Sequence, residues 1–130
     1  YVKELETDKI VRSWKTGKKH PFREGWHPAH PSFFVKKEVY NKYGNFNLNY
    51  KIAADFEIML RFLEKYSISS YYIEEYIVKM RLGGESNKSI KNIKKGKDEI
   101  MDAFKQNDIQ IPFYYTYKRW TLKLIQYLRK

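Results

Sequence analysis

One stretch of the chain, residues 53–66, has a hydrophobic periodicity that fits an amphipathic helix. Its large apolar residues recur at three- and four-residue spacing, which places them on one helix face. These residues are Phe56, Met59, Leu60 and Leu63, and the charged residues of the opposite face are Glu57, Arg61, Glu64 and Lys65. Glu57 and Arg61 stand four residues apart, the spacing of a favourable ion pair. We expect this helix to bury the first set and expose the second.

The rest of the sequence predicts short strands mixed with further helices. Runs of β-branched and aromatic residues predict strands at residues 32–35, 69–73 and 76–82, and the first nineteen residues predict a short strand and a short helix. Helices are predicted at residues 36–43, from Ser86 or Asn87 to about Gln106, and from Pro112 onward. Gly44 is expected to end the first of these helices. Without regular βαβ alternation, the predicted fold class is α+β, with short strands and three to four helices.

Composition narrows the classes of protein to which the chain can belong. It has 130 residues and no Cys, so disulfides and thiolate metal sites are excluded. Hydrophobic residues make up 42% of it, which argues against disorder, and no apolar run reaches the roughly 20 residues needed to cross a bilayer. The net charge of +11 favours polyanionic partners such as nucleic acid, anionic membrane or phosphorylated substrates.

A loop at residues 20–31 contains three His and three Pro, and includes Trp26, His27 and His30. Two imidazoles three residues apart can bind a metal ion, but zinc-finger and metalloprotease spacings are absent, so His30 is a weak metal candidate. Two other interpretations of His30 remain open. It is either a buried, hydrogen-bonded loop residue at the head of a strand, or a group that lies near a diphosphate.

Asp55 opens the predicted helix after two small residues, Ala53 and Ala54. A carboxylate at this position is most often a cap or a favourable partner of the helix dipole. The same position keeps a carboxylate ionised at neutral pH, so Asp55 is also a candidate general base for an approaching hydroxyl. Spacing alone leaves both interpretations open.

A third cluster comprises Arg81, Gly83 and Gly84 at the end of the last predicted strand. An arginine beside two glycines can reach an anionic group while the backbone stays close to it. The cluster lacks the spacing of a Walker loop, and an ordinary turn with a surface arginine explains it as well.

Taken in order, these clusters resemble the C-terminal half of bacterial family-2 glycosyltransferases, which have a GT-A fold. The resemblance covers about residues 8–106. The matching stretches are His30-Pro31-Ser32-Phe33-Phe34, Lys37 to Phe46, Ala53-Ala54-Asp55-Phe56-Glu57 to Arg61, and Arg81-Leu82-Gly83-Gly84-Glu85-Ser86. Each motif is weak alone, but the ordered set is specific.

The resemblance implies inverting transfer of a sugar from a nucleotide-diphosphate donor to an acceptor hydroxyl, in bacterial surface polysaccharide or glycolipid synthesis. Asp55 matches the catalytic base of the family. The substrate-binding residues are then Trp26, His30, Glu57, Arg81, Gly83 and Gly84, with Trp26 suited to stacking on a sugar face. A divalent cation, Mg²⁺ or Mn²⁺, is expected in the full-length enzyme. The expected location is the cytoplasm, either free or attached peripherally to the inner face of the membrane.

The nucleotide-binding half of that family, with its Asp-x-Asp metal motif, has no counterpart here. No Asp-x-Asp occurs in the sequence, and the chain begins with Tyr1. We therefore expect residues 1–106 to be the acceptor-side part of a GT-A domain, with the nucleotide pocket and main metal site elsewhere. The segment alone is then expected to be inactive, and the apolar edge left by the missing half would favour a homodimer of the fragment as an artefact.

Residues 107–130 are expected to form a basic amphipathic helix with the stripe Phe113, Tyr117, Trp120, Leu124 and Leu128. Such a helix, within residues 112–130, suits a membrane surface, but packing against the domain or a second copy explains it equally well. A nucleic-acid-binding or membrane-surface module without catalysis is the alternative function. The absence of known nucleic-acid-binding signatures weighs against nucleic acid as the partner.

Overall fold

The computed structural model describes residues 2–3, 10–81 and 89–128, and the side chains of residues 10, 12–80 and 89–128. Within these ranges the regular structure is mostly helical. The four α-helices are α1 (Lys37–Tyr43), α2 (Ala54–Leu60), α3 (Ile90–Gln106) and α4 (Tyr115–Leu128). Two short 3₁₀ turns precede α1, at Phe22–Glu24 and His30–Ser32, and a π-helical turn at Arg61–Lys65 continues α2.

The described part of the chain contains one small three-stranded sheet. Its strands are β1 (Val2–Lys3), β2 (Ile10–Arg12) and β3 (Met80–Arg81), in the order β2-β1-β3. β1 pairs with β2 in antiparallel fashion and with β3 in parallel, Val2 opposite Met80. The expected α+β class therefore holds only in a helix-rich form, with very little strand.

The core is built around α2 and the π-helical turn that follows it. Phe56, Leu60, Phe62 and Leu63 are buried there, together with Ala103 and Phe104 of α3. Phe56 of α2 contacts both the turn Phe22–Glu24 and α3, because its ring centroid lies 5.6 Å from those of Phe22 and Phe104. Each buried Phe or Leu side chain contributes about 1.5–3 kcal/mol by leaving water. This packing holds α2 at the centre of the molecule and therefore positions Asp55 near its N-terminus.

The helix predicted at residues 53–66 is confirmed, but its polar face is not fully solvent-exposed. Glu57 is only 4% exposed, although the sequence placed it on the exposed face. Five consecutive residues from Phe56 to Leu60 are buried because α2 is covered on more than one side. Glu57 is tolerated there because Arg61 neutralises its charge.

The predictions for α1 and for the end of α3 are also confirmed. Gly44 follows α1 with a φ of 87°, which a glycine adopts without strain, and α3 ends at Gln106. The start of α3 differs: Ser89 is its N-cap and accepts a hydrogen bond from the Asn92 amide at 3.1 Å. The predicted caps Ser86 and Asn87 lie outside the described residues.

The predicted strands are largely wrong. Residues 30–32 form a 3₁₀ turn, and residues 33–36 have no regular structure. Of residues 69–81, only Met80 and Arg81 pair with another strand, and side chains such as Tyr71 are exposed. β-Propensity produces a strand only where a neighbouring strand and a surface to cover are available, and within the described part of the chain β1 pairs with this segment through Val2 and Lys3. The short helix expected before residue 20 is likewise not found in residues 10–19, which contain β2.

α4 begins at Tyr115 rather than at Pro112. The Pro112 carbonyl accepts a hydrogen bond from the Tyr115 amide in a turn that precedes the helix. Among the described residues, no helix combines the length and apolarity needed to cross a membrane.

Candidate active site

The 3₁₀ turn His30–Ser32 lies against the N-terminus of α2 and brings together two residues that the sequence analysis had identified separately. His30 Nδ1 lies 2.9 Å from Asp55 Oδ2. The turn is stabilised by Ser32, whose amide and hydroxyl both donate to the Ala29 carbonyl at 2.9 Å. The side chain of His30 is 52% exposed and that of Asp55 is 35% exposed, so the pair lies at the surface.

The environment of Asp55 favours its ionised form. Partial burial by itself raises the pKa of Asp55, but the hydrogen bond and charge of His30 and the Phe56 amide outweigh it, so the pKa lies below its usual value. The Phe56 amide donates to Asp55 Oδ1 at 2.7 Å. Asp55 is therefore a carboxylate at neutral pH, in contact with water.

Asp55 does not cap α2, because a distant residue supplies the cap. The N-cap residue is Ala53, which has no polar side chain. Glu99 of α3 accepts hydrogen bonds from the amides of Lys51, Ile52 and Ala53 at 3.0, 2.8 and 2.8 Å. Because Glu99 satisfies the backbone amides that lead into α2, the Asp55 side chain is left to interact with His30. No local motif signals this arrangement, since Glu99 lies 46 residues from Ala53.

His27 sits behind the pair, between aromatic rings. Its ring centroid lies 5.0 Å from that of Trp14 and 5.6 Å from that of Phe56, and its Nδ1 donates to the Pro28 carbonyl at 3.0 Å. Burial, followed by the positive charge of Arg119, lowers the pKa of His27 to about 3. His27 is therefore neutral at physiological pH and packs as an aromatic residue.

Trp26, expected to stack on a sugar, is partly buried and held by the fold. Its indole nitrogen donates to the Thr16 carbonyl at 2.7 Å. Its ring makes edge contacts with Phe22 and His20, at centroid distances of 5.5 and 6.3 Å. These contacts favour a role for Trp26 in tying the loop to the core.

Glu57, expected to bind substrate, lies in the interior. Its Oε1 accepts from Arg61 Nε at 2.9 Å and from the side-chain nitrogen of Asn107 at 3.3 Å, and its Oε2 accepts from a second Arg61 nitrogen at 3.2 Å. Both carboxylate oxygens are engaged within the protein, which favours a structural role.

The third predicted cluster is only partly described. The backbone of Arg81 belongs to β3 and pairs with Lys3, while its side chain, like Gly83 and Gly84, lies outside the described residues.

A small groove of about 60 Å³ lies beside the turn that carries His30. Ala29, Pro31 and Ser32 form one wall, and Tyr76 and Val78 belong to the segment that faces them. A wider cleft of about 320 Å³ lies elsewhere, between His20 and Glu64. Asp55 lines neither of these two clefts.

The described residues contain no group of three or more His, Cys, Asp or Glu side chains able to hold a metal ion. Asp55 and His30 supply only two donors, and their mutual hydrogen bond occupies one nitrogen and one oxygen. This donor set does not fit a complete divalent-cation site.

Comparison with known proteins gives no relative: no family model, no curated protein and no solved structure matches the chain.

Proposed function

We propose that this chain is the acceptor-side part of an inverting, family-2-like glycosyltransferase with a GT-A fold, and that Asp55 is its catalytic base. The observation that carries the proposal is the state of the Asp55 carboxylate. It is ionised, one-third exposed and oriented by a residue from a different element, His30. The ordered motifs from His30 to Ser86 provide the second support.

In the proposed reaction, the acceptor hydroxyl donates its proton to the Asp55 carboxylate as its oxygen attacks the anomeric carbon. The bond between that carbon and the diphosphate breaks on the opposite face, and the configuration inverts. Each carboxylate oxygen has two lone pairs, so the Asp55 oxygens can accept the hydroxyl while keeping their bonds to His30 and Phe56. His30 acts as a positioning residue that holds the carboxylate toward the acceptor.

The nucleotide-sugar donor and the Mg²⁺ or Mn²⁺ ion that accompanies it are assigned to a separate nucleotide-binding part. The acceptor is a sugar or a lipid-linked sugar, in the synthesis of a bacterial surface polysaccharide or glycolipid. Nucleotide sugars are cytoplasmic metabolites, so the proposed reaction takes place on that side of the envelope.

The test uses the full gene product and measures transfer from a panel of nucleotide sugars together with donor binding. Asp55→Asn is expected to lower transfer by about 10²-fold or more, because the amide cannot accept the proton. Donor affinity should change little. Asp98→Asn, an exposed acid on α3, is the matched control and should behave as wild type. Near-normal turnover of Asp55→Asn would remove the base assignment.

A second variant separates the role of His30 from that of Asp55. His30→Asn retains a side-chain N–H donor close to the position of Nδ1, so we expect a loss of about tenfold in kcat for a positioning role. If His30 Nε2 were itself the base, His30→Asn would lose as much activity as Asp55→Asn.

A further inference from the structure

The apolar stripe of α4 points away from the body of the protein. Phe113, just before the helix, is fully exposed. The exposed fractions of Tyr117, Trp120, Leu124 and Leu128 are 75, 73, 62 and 74%. An ordinary surface helix turns its apolar stripe inward. This stripe therefore remains available to a partner.

The orientation of α4 is held by contacts on its opposite face. Tyr115 is buried against Phe104, with a centroid distance of 5.1 Å. Farther along α4, the backbone carbonyl of Gln126 accepts a hydrogen bond from the Ser13 amide at 3.1 Å. The side-chain oxygen of Gln126 accepts another from Arg12. Lys118 forms an ion pair with Glu24. Turning the stripe inward would break contacts at both ends of the helix.

The charge around the stripe restricts what can cover it. From residue 109 to the last residue of the sequence there are five cations and no acidic residue. The cations are Lys118, Arg119, Lys123, Arg129 and Lys130. Lys118 is paired with Glu24 of the body, whereas on a helical projection Lys123 lies to one side of the stripe. A covering surface must therefore accept large apolar side chains and carry negative charge.

We propose that the outward face of α4 binds the surface of an anionic lipid bilayer. The apolar stripe enters the boundary between headgroups and acyl chains, and Lys123 beside it meets the lipid phosphates. Three of the five stripe residues are aromatic, the type of side chain favoured at this boundary. A second copy fits less well, because two such faces would bring cations together without acidic partners. Nucleic acid offers phosphates, but no apolar phase for the stripe.

The test is flotation of the full chain with vesicles of phosphatidylcholine alone and of phosphatidylcholine mixed with phosphatidylglycerol. We expect binding to the mixed vesicles, weaker binding at higher salt, and a blue shift of the tryptophan fluorescence that Trp120→Ser removes. Replacing Trp120 and Leu124 by Ser should weaken binding at least about tenfold. Both side chains are exposed, so the circular dichroism spectrum should not change.

The matched control is a double variant at two exposed apolar residues outside α4, Leu48→Ser combined with Tyr71→Ser. This variant should bind the mixed vesicles as the wild type does. Asp55→Asn should also bind as wild type, because the surface is independent of the proposed catalysis. The proposal is overturned if the wild type ignores the mixed vesicles, or if the Trp120 and Leu124 variant binds them equally well. It is also overturned by two results together. Sedimentation would show that the wild type is a dimer and that the Trp120 and Leu124 variant is a monomer, and added lipid would leave the wild-type dimer intact.

Discussion

Glu57 and Arg61 form a two-pronged ion pair inside the protein, with N–O distances of 2.9 and 3.2 Å. The Arg61 guanidinium also donates to the backbone carbonyls of Tyr43 and Asn45, the latter at 2.7 Å. One arginine thus joins α2 to the chain that leaves α1. The pair that the sequence placed at the surface is a connection between elements.

Removal of the Arg61 charge is predicted to destabilise the fold strongly. Arg61→Gln leaves the buried Glu57 carboxylate without its partner and frees two carbonyls, a loss of about 3–5 kcal/mol in the free energy of unfolding. Urea denaturation measures it. The control is Lys65→Gln, which breaks an ion pair to the exposed Asp108 and should cost less than about 1 kcal/mol. Equal losses for the two variants would contradict the structural role of the Glu57–Arg61 pair.

Gly25 is predicted to be sensitive to any side chain. Its φ is 82°, and an added Cβ would lie 3.0 Å from the backbone nitrogen of Arg119 in α4. Gly17 has a similar φ of 72° with no atom within 4 Å of such a Cβ. We expect Gly17→Ala to cost about 1 kcal/mol from backbone strain alone. Gly25→Ala should cost about 2–3 kcal/mol, because α4 must also shift.

The comparison of these two alanine variants uses thermal or urea unfolding. Similar costs would show that α4 does not pack closely against Gly25.

His27 is predicted to make stability depend on pH. Its folded pKa of about 3 lies below the unfolded value of about 6.5, so the unfolded chain binds the proton more readily. Stability from neutral His27 is complete above about pH 6.5 and falls toward pH 3, by at most about 1.4 kcal/mol per pH unit. His27→Asn retains an N–H donor and does not titrate. Its stability curve should be flatter below about pH 6.5 and parallel to wild type above it.

The measurement for His27 is the free energy of unfolding by urea at a series of pH values. Identical slopes for wild type and His27→Asn in the acid range would show that His27 is not held neutral by the fold.

Glu99 is predicted to hold the N-terminus of α2. Burial raises the pKa of Glu99, but the hydrogen bonds that its carboxylate accepts from three backbone amides outweigh this effect. The pKa of Glu99 therefore lies below its usual value. Its contribution is therefore present above about pH 4.3 and is lost as pH falls through the lower folded pKa. Glu99→Gln should cost about 1.5–3 kcal/mol at neutral pH. Most of this difference from wild type should disappear in acid.

The control for Glu99 is Asp98→Asn, because Asp98 is its exposed neighbour on α3. Urea unfolding of the three proteins at neutral and acid pH provides the measurement. A Glu99→Gln variant as stable as Asp98→Asn at neutral pH would contradict the capping role.

The local elements with strong periodicity or a clear end signal were predictable from the sequence. The helix after residue 53, the end of α1 at Gly44 and the end of α3 at Gln106 follow from neighbours within one or two turns. The strands were not predictable from the sequence, because a strand exists only where a partner strand lies beside it. The sequence also singled out both His30 and Asp55, although not their contact.

Sequence alone determined which residues can form amphipathic helices and which carry charge or ionisable groups, since these properties depend on side-chain chemistry and helical spacing. Tertiary structure decided where those faces point. It buried Glu57 beneath Arg61, brought Glu99 to the start of α2 and set His30 against Asp55. It also turned the stripe of α4 outward. Each outcome depends on contacts between segments far apart in sequence, and no local pattern encodes such distances.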